Sequence, residues 1–167
     1  WSSDVCSSDL LFQLGMIAGL QGKPEEKIKM LTRVNNEMAF SIYLDDALYE
    51  TANTYFQLAD YDNAILTFNR VINDFPNSSY QKKAHLKLGL IYFNTNKMEN
   101  ATSEFEFVAV NFPKTQESAE AMKQAQQVFI TQGDADGYKN WLQKIPGGKM
   151  TVAGEDSLIY QIGRAHV

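Results

Sequence analysis

Apolar residues recur along this chain at intervals of three and four positions, the spacing that places side chains on one face of an α-helix. Leu48, Ala52 and Tyr55 form one such stripe. The segment that follows it, at Ala59 and Asp60, is short enough to form only a tight turn. The pattern therefore predicts an antiparallel pair of helices. The second stripe consists of Ala64, Phe68 and Val71.

The same pattern returns at an interval of thirty-seven residues. Tyr55 recurs as Tyr92, and Pro76 recurs as Pro113. Because one helical hairpin cannot bury its own apolar stripe, consecutive hairpins must stack on one another. The interval predicts the start of a fifth unit near Leu158, after four units at about 8–44, 45–81, 82–118 and 119–155.

Residues at the predicted helix ends suit those places. Asn96 and Gly133 tolerate the left-handed conformation that commonly ends a helix. Asp60 and Asp134 can accept hydrogen bonds from the first N–H groups of the following helix. Since proline cannot continue a helix, each second helix should end before the recurrent proline.

This arrangement resembles a tetratricopeptide repeat, a helical hairpin that stacks into superhelical arrays. The family carries a small residue where its two helices approach, and Ala52 and Gly89 stand at that place. The resemblance implies an all-α, right-handed α–α superhelical solenoid. Further matches are Tyr55, Tyr92, Ala64, Ala101, Phe68, Phe105, Pro76 and Pro113. The weaker first and fourth units carry Lys27 and Tyr138 in place of the family alanine, and Ala39 and Met150 in place of its proline.

In this family the first helices of successive units line a concave groove that binds a peptide or a partner helix. The resemblance gives the groove of this chain charged, amide, aromatic and aliphatic side chains, which suits a partner with apolar anchors. A second interpretation is equally open, in which Tyr49, Phe56 and Phe93 only pack against neighbouring helices. The partner-binding residues implied are Asp46, Tyr49, Asn53, Phe56, Gln57, Lys83, Leu86, Leu90, Phe93 and Asn94.

One known ligand mode of the family is not reproduced. A clamp on the carboxylate at the C-terminus of a peptide needs Lys and Asn where this chain has Phe12 and Met16. Only Lys83 and Lys87 have suitable charge. We therefore do not expect a clamp of this kind.

The two ends of the chain match opposite strands of one DNA segment. One coding of Asp4–Asp9 is GAC GTG TGC TCT TCC GAT, whose reverse complement translates as IGRAHV, the sequence of Ile162–Val167. We interpret residues 1–10 and 162–167 as sequencing-adapter read-through, and 11–161 as the native stretch. On this interpretation the native termini, with any signal peptide or lipid anchor, lie outside the sequence.

Composition narrows the chemistry further. The 167 residues carry a formal net charge of −5, which disfavours nucleic acid and anionic membranes as partners because basic surfaces bind both. Cys6 and His166 fall in the adapter segments, which leaves His85 as the only native histidine. Asp134–Gly137 begins like a calcium loop, but Tyr138 stands where an oxygen ligand is required. We predict no catalytic residue, no cofactor and no metal site.

The predicted function is a non-catalytic scaffold for protein–protein interaction, without a membrane-spanning segment. Two alternatives remain: the recruitment region of an enzyme whose catalytic domain lies outside the sequence, and a structural spacer without a groove ligand. The uncapped ends predict self-association or fraying.

The unit length also suggests a location. The usual repeat has about 34 residues. The longer unit here, closing on Phe-Pro-Asn/Lys-Ser/Thr, resembles repeats of bacterial cell-envelope proteins of the Tol–Pal-associated and outer-membrane-assembly lipoprotein types. The resemblance implies a periplasmic or outer-membrane-associated protein, with the cytoplasm as the alternative.

Overall fold

A computed structural model describes residues 2–38 and 41–165 of the chain, with side chains from Ser7 onward. All regular structure in these residues is α-helical, which confirms the predicted all-α fold of a helical-repeat solenoid. None of the helices described is long and apolar enough to cross a membrane. Trp1, Ala39 and His166 lie outside the described residues, as does the side chain of Cys6. The helices are α1 (Ser2–Leu20), α2 (Pro24–Glu37), α3 (Leu44–Gln57), α4 (Tyr61–Asp74), α5 (Gln81–Asn94), α6 (Met98–Asn111), α7 (Gln116–Gln132), α8 (Ala135–Gln143) and α9 (Val152–Ala165).

The chain forms two compact units, whose boundary lies between Ala84 and His85 in α5. In unit 1, α1 packs on α2, α2 on α3, and α3 on α4. The second helices of its two hairpins, α2 and α4, turn the expected apolar face inward. The fully buried apolar side chains of these two faces are Leu31, Val34, Ala64, Phe68 and Val71.

The core of unit 2 is built from α6, α7, α8 and α9, and the part of α5 that belongs to unit 2 packs against it. Phe105 and Val108 of α6 are fully buried in it. A Cβ atom added to Gly89 would lie 2.8 Å from Cδ1 of Phe105. The structure thus confirms that the small residue of the repeat permits a close approach of the two helices.

Left-handed residues follow the first helices, as predicted for Asn96 and Gly133. The φ angles are +57° at Ala59, +59° at Asn96 and +70° at Gly133. Because Ala59 has a Cβ, it adopts this conformation less readily than glycine does. The interhelix turn therefore has the same backbone form in each of these units, whichever residue occupies it.

The predicted aspartate caps are present. Asp60 accepts a hydrogen bond from the N–H of Asn63 at 3.3 Å, and Asp134 accepts one from the N–H of Gly137 at 2.8 Å. A Cβ atom on Gly137 would overlap the Asp134 carboxylate. The cap therefore explains why Asp134 and Gly137 occur in the segment that resembles the start of a calcium loop.

Among the first helices after α1, α7 and α9 begin furthest before the predicted unit boundaries. Each starts beside a threonine whose hydroxyl oxygen accepts a backbone hydrogen bond. Thr115 accepts from Ser118 at 3.1 Å, and Thr151 accepts from Gly154 at 3.1 Å. The early start follows from these caps, which satisfy N–H groups that would otherwise lack a partner. At the two ends, α1 and α9 extend into the segments interpreted as adapter read-through.

The residues that depart from the family pattern are accommodated locally. Lys27 is buried, and its Nζ lies 2.6 Å from Oε2 of Glu50. A Cβ atom on Gly19 would lie 2.8 Å from Cδ of Lys27, so the glycine provides the space that the long side chain needs. Tyr138, also buried, stacks on Trp141 with ring centroids 6.0 Å apart.

Candidate partner-binding surface

Five of the predicted partner-binding residues lie on α3 in unit 1, at helical spacing. They differ widely in exposure. Tyr49 is only 8% exposed, whereas Asp46, Asn53 and Phe56 are partly buried and Gln57 is exposed. The residues that α3 offers to a partner are therefore mainly polar, with Phe56 as the accessible aromatic ring.

Tyr49 packs within unit 1. Its ring stacks on Tyr80 at a centroid distance of 4.3 Å and an interplanar angle of 17°. It also lies 5.9 Å from the ring of Phe68. For this residue the structure shows the packing role that the sequence left open.

Two carboxylates at the start of α3 hold the loop that precedes α5. The hydroxyl of Ser78 donates to Oδ2 of Asp45 at 2.7 Å, and the hydroxyl of Tyr80 donates to Oδ1 of Asp46 at 2.6 Å. Burial raises the pKa of Tyr80 above its ordinary value, and the hydrogen bond to Asp46 raises it further. Asp46 is therefore engaged in an intramolecular contact as well as lying on the predicted binding face.

Sequence reasoning overlooked this contact, although the thirty-seven-residue interval contains a signal for it. Ser41 and Tyr43 lie one interval before Ser78 and Tyr80. In both pairs the tyrosine N–H donates to the serine hydroxyl oxygen at 3.1 Å. Tyr43 also stacks, on Phe12, with centroids 4.8 Å apart. The Ser-x-Tyr motif thus marks a loop structure that recurs within unit 1.

Lys83 completes a mixed cluster at the start of α5. Its side chain is exposed, and Nζ lies 5.5 Å from the centroid of the Tyr80 ring. We call Asp46, Tyr49, Tyr80 and Lys83 the Tyr80 cluster. It joins a carboxylate, a cation and two stacked rings, which are groups that anchor peptide ligands through hydrogen bonds and ring contacts.

In unit 2, α5 carries a more apolar stripe. Leu86, Leu90 and Phe93 are spaced at three- and four-residue steps and pack against the core while remaining partly exposed. Asn94, at the end of the helix, is exposed. Lys87 is partly buried, and that burial lowers the pKa of its amino group. This face combines apolar anchors with a terminal amide.

His85 makes two side-chain contacts in unit 2. Its Nδ1 lies 2.7 Å from Oε2 of Glu104, and its ring stacks on Phe107 at a centroid distance of 3.8 Å. Among the described residues, no group of three or more His, Cys, Asp or Glu side chains is placed to hold a metal ion.

The comparisons with known proteins agree with this geometry. Residues 46–78 match a tetratricopeptide repeat, and residues 82–106 match a second tetratricopeptide repeat. The repeats identify the class as that of helical-hairpin proteins that bind other proteins. These two segments are tetratricopeptide repeats, as the sequence pattern predicted for them. No curated protein matches it.

Proposed function

We propose that this chain is a non-catalytic scaffold that binds an extended peptide or a partner helix along the first helices of its repeats. The observation that carries the proposal is the apolar stripe of α5. Leu86, Leu90 and Phe93 share one helix face in unit 2 and stay partly exposed. An amphipathic helix or an extended peptide can bury such a face with a few apolar anchors.

Unit 1 supports the same function with different chemistry. Asn53 and Gln57 offer amide groups to a ligand backbone, and Phe56 offers an accessible ring. Lys83, exposed beside Tyr80, offers a positive charge. The preferred partner would combine apolar anchors with hydrogen-bonding groups, as is usual for peptide recognition.

Site-specific photocrosslinking tests where a partner binds. A benzophenone amino acid at Asn53 or Leu90 of the full-length protein should give a discrete crosslinked partner in the native cell. The control position is Leu66, which is 65% exposed on α4, a second helix. The same products from Leu66, or none from Asn53 and Leu90, would contradict binding along the first helices.

Affinity measurements with the crosslinked partner give a sharper test. Leu90→Ala and Lys83→Glu should each weaken binding by about tenfold or more if they lie among the anchors. Leu66→Ala should leave the affinity unchanged. Melting curves of each variant separate lost binding from lost folding. Unchanged affinity in both variants would contradict binding of the partner along this face of α5.

We further propose that the array belongs to a bacterial cell-envelope protein. The support is the thirty-seven-residue interval with its Phe-Pro ending, at Pro76 and Pro113. Fractionation of cells that produce the protein from its complete reading frame tests this location. Recovery in the periplasm or with the outer membrane is expected, and recovery in the cytosol would contradict it. A catalytic domain in that reading frame would instead favour the recruitment region of an enzyme.

A further inference from the structure

An exposed apolar face runs along α1 in unit 1. Leu10, Leu14 and Ile17 follow one another at four- and three-residue steps, so they lie on one side of the helix. Their exposed fractions are 57%, 42% and 48%. We call these three residues the α1 outer face. Three large aliphatic side chains in a row differ from the single exposed apolar residues that are normal on a soluble surface.

The positions one repeat interval later are buried. These are Ala47, Thr51 and Thr54 on α3, with exposed fractions of 0%, 5% and 2%. The helix that packs on α3 from the preceding hairpin is α2, and Ala47 shares a core cluster with Leu31 and Val34 of α2. The same register position of a first helix is therefore covered wherever a hairpin precedes it in unit 1.

The two threonines do not make the α3 face polar. The hydroxyl of Thr51 donates to the carbonyl of Ala47 at 2.7 Å, and that of Thr54 donates to the carbonyl of Glu50 at 2.7 Å. Both hydroxyls are thus satisfied inside their own helix. The surface of α3 that α2 covers is therefore apolar, like the α1 outer face, although its side chains are smaller.

The first helices α5 and α7 follow the same rule. All six equivalent residues are buried, although they belong to different helices. Leu20, the exposed leucine at the end of α1, is a useful contrast, because its equivalents are exposed in every later unit. The buried set is Ala84, Leu88, Ile91, Ala121, Ala125 and Val128. The exposed equivalents of Leu20 are Gln57, Asn94 and Thr131.

We propose that the α1 outer face is the docking surface for the second helix of a further hairpin of the same class, stacked before the unit at 8–44 in the same polypeptide. A terminal capping repeat carries a polar outer face, and α1 does not. The covering helix should resemble α2, with two bulky apolar residues three positions apart in the manner of Leu31 and Val34. Leu10 falls in the segment interpreted as adapter read-through, so Leu14 and Ile17 are the residues of the α1 outer face that belong to the native stretch. The proposal is independent of ligand binding along the first helices.

An extended chain tests the proposal directly. A copy of residues 45–81 is placed before Ser8 in exchange for residues 1–7, which supplies a complete hairpin in the repeat register. Leu14→Asp and Ile17→Asp are then introduced into both the present and the extended chain. The control is Leu66→Asp, at an exposed leucine outside the α1 outer face. Melting midpoints and amide exchange of α1 are measured for each protein.

The expected result is a difference between the two chains. In the present chain, at concentrations too low for self-association, the aspartates should shift the melting midpoint by no more than about 3 °C, because they remain in water. In the extended chain, they should lower it by roughly 5–10 °C, since an unpaired charge would be buried. The amides of α1 should exchange more slowly in the extended chain, and Leu66→Asp should behave alike in both.

Two outcomes would overturn the proposal. Equal effects of the aspartates in both chains would show that the added hairpin does not cover Leu14 and Ile17. A dimer of the extended chain that Leu14→Asp dissociates would show that a second copy, rather than a preceding hairpin, occupies the surface. Sedimentation velocity over a range of concentrations detects that dimer.

Discussion

Phe68 and Phe105 occupy the same position in two consecutive repeats, and both contribute to the core. Both side chains are fully buried, and each lies one repeat interval from the other. Phe105 fills the space beside Gly89, where even a methyl group would collide with its ring. Gly89 and Phe105 therefore depend on each other, because the packed core leaves the phenylalanine ring no other position and only glycine leaves space for it.

We expect Phe68→Ala and Phe105→Ala each to lower the free energy of unfolding by about 3–5 kcal/mol, through lost apolar burial and the cavity left behind. Urea denaturation gives this quantity. Phe107→Ala is a matched control on the same helix as Phe105, since Phe107 is 39% exposed and should cost much less. Unchanged stability in the first two variants would contradict the repeat register.

Tyr80 provides a residue-scale prediction about pH. Its pKa is raised in the folded chain by burial and by the hydrogen bond to Asp46. The folded state therefore holds the phenolic proton more tightly than the unfolded state does. This contribution to stability is complete below the unfolded pKa of about 10 and is lost as the pH rises through the folded value.

Urea midpoints at pH 8 and pH 11 measure the effect. The parent chain should lose stability between these values, and Tyr80→Phe should lose less because it has no proton to release. Tyr160→Phe serves as the control, since Tyr160 is 66% exposed. An identical loss in the parent and in Tyr80→Phe would show that Tyr80 does not contribute to the loss of stability at alkaline pH.

At the scale of helices, the turn before α8 depends on one side chain. Asp134 accepts the N–H of Gly137 at 2.8 Å and closes the first turn of a helix of 9 residues. Asp134→Ala should lower the free energy of unfolding by about 1 kcal/mol, the usual cost of a lost N-cap. Amide exchange should rise first in α8.

Asp134→Asn is the control for this cap, because asparagine caps helices as well as aspartate does. It should retain most of the stability. If Asp134→Ala and Asp134→Asn proved equally destabilising, the carboxylate charge rather than the hydrogen bond would have to be responsible.

The helices and turns were predictable because their rules are local. Apolar spacing identified the buried faces of Phe68 and Phe105, and the predicted left-handed turn at Asn96 is present. The contact of Tyr80 with Asp46 was not predictable in the same way. The two residues are thirty-four positions apart in the sequence, and the contact depends on the path of the loop before α5. For Tyr49, periodicity gave the helix face but not the neighbour that covers it.

At the scale of the whole molecule, repeat proteins are stabilised by contacts between adjacent units, so that the end units lack half of their support. The two terminal helices show this lack. In α9, Leu158 is the buried residue, while Ile159 and Tyr160 are exposed. In α1, the outer face that contains Leu14 and Ile17 is uncovered.

We therefore expect the isolated chain to fray and to self-associate at its ends. Amides of α1 and α9 should exchange faster than those of α3 and α6, because exchange follows local rather than global stability. Light scattering should show a mass that rises with protein concentration, since exposed apolar faces gain by association. Leu14→Asp should reduce this rise while Leu66→Asp leaves it unchanged. A monomer at all concentrations, with α1 and α9 as well protected as the interior helices, would contradict the expectation, because the ends would then be stable without neighbours.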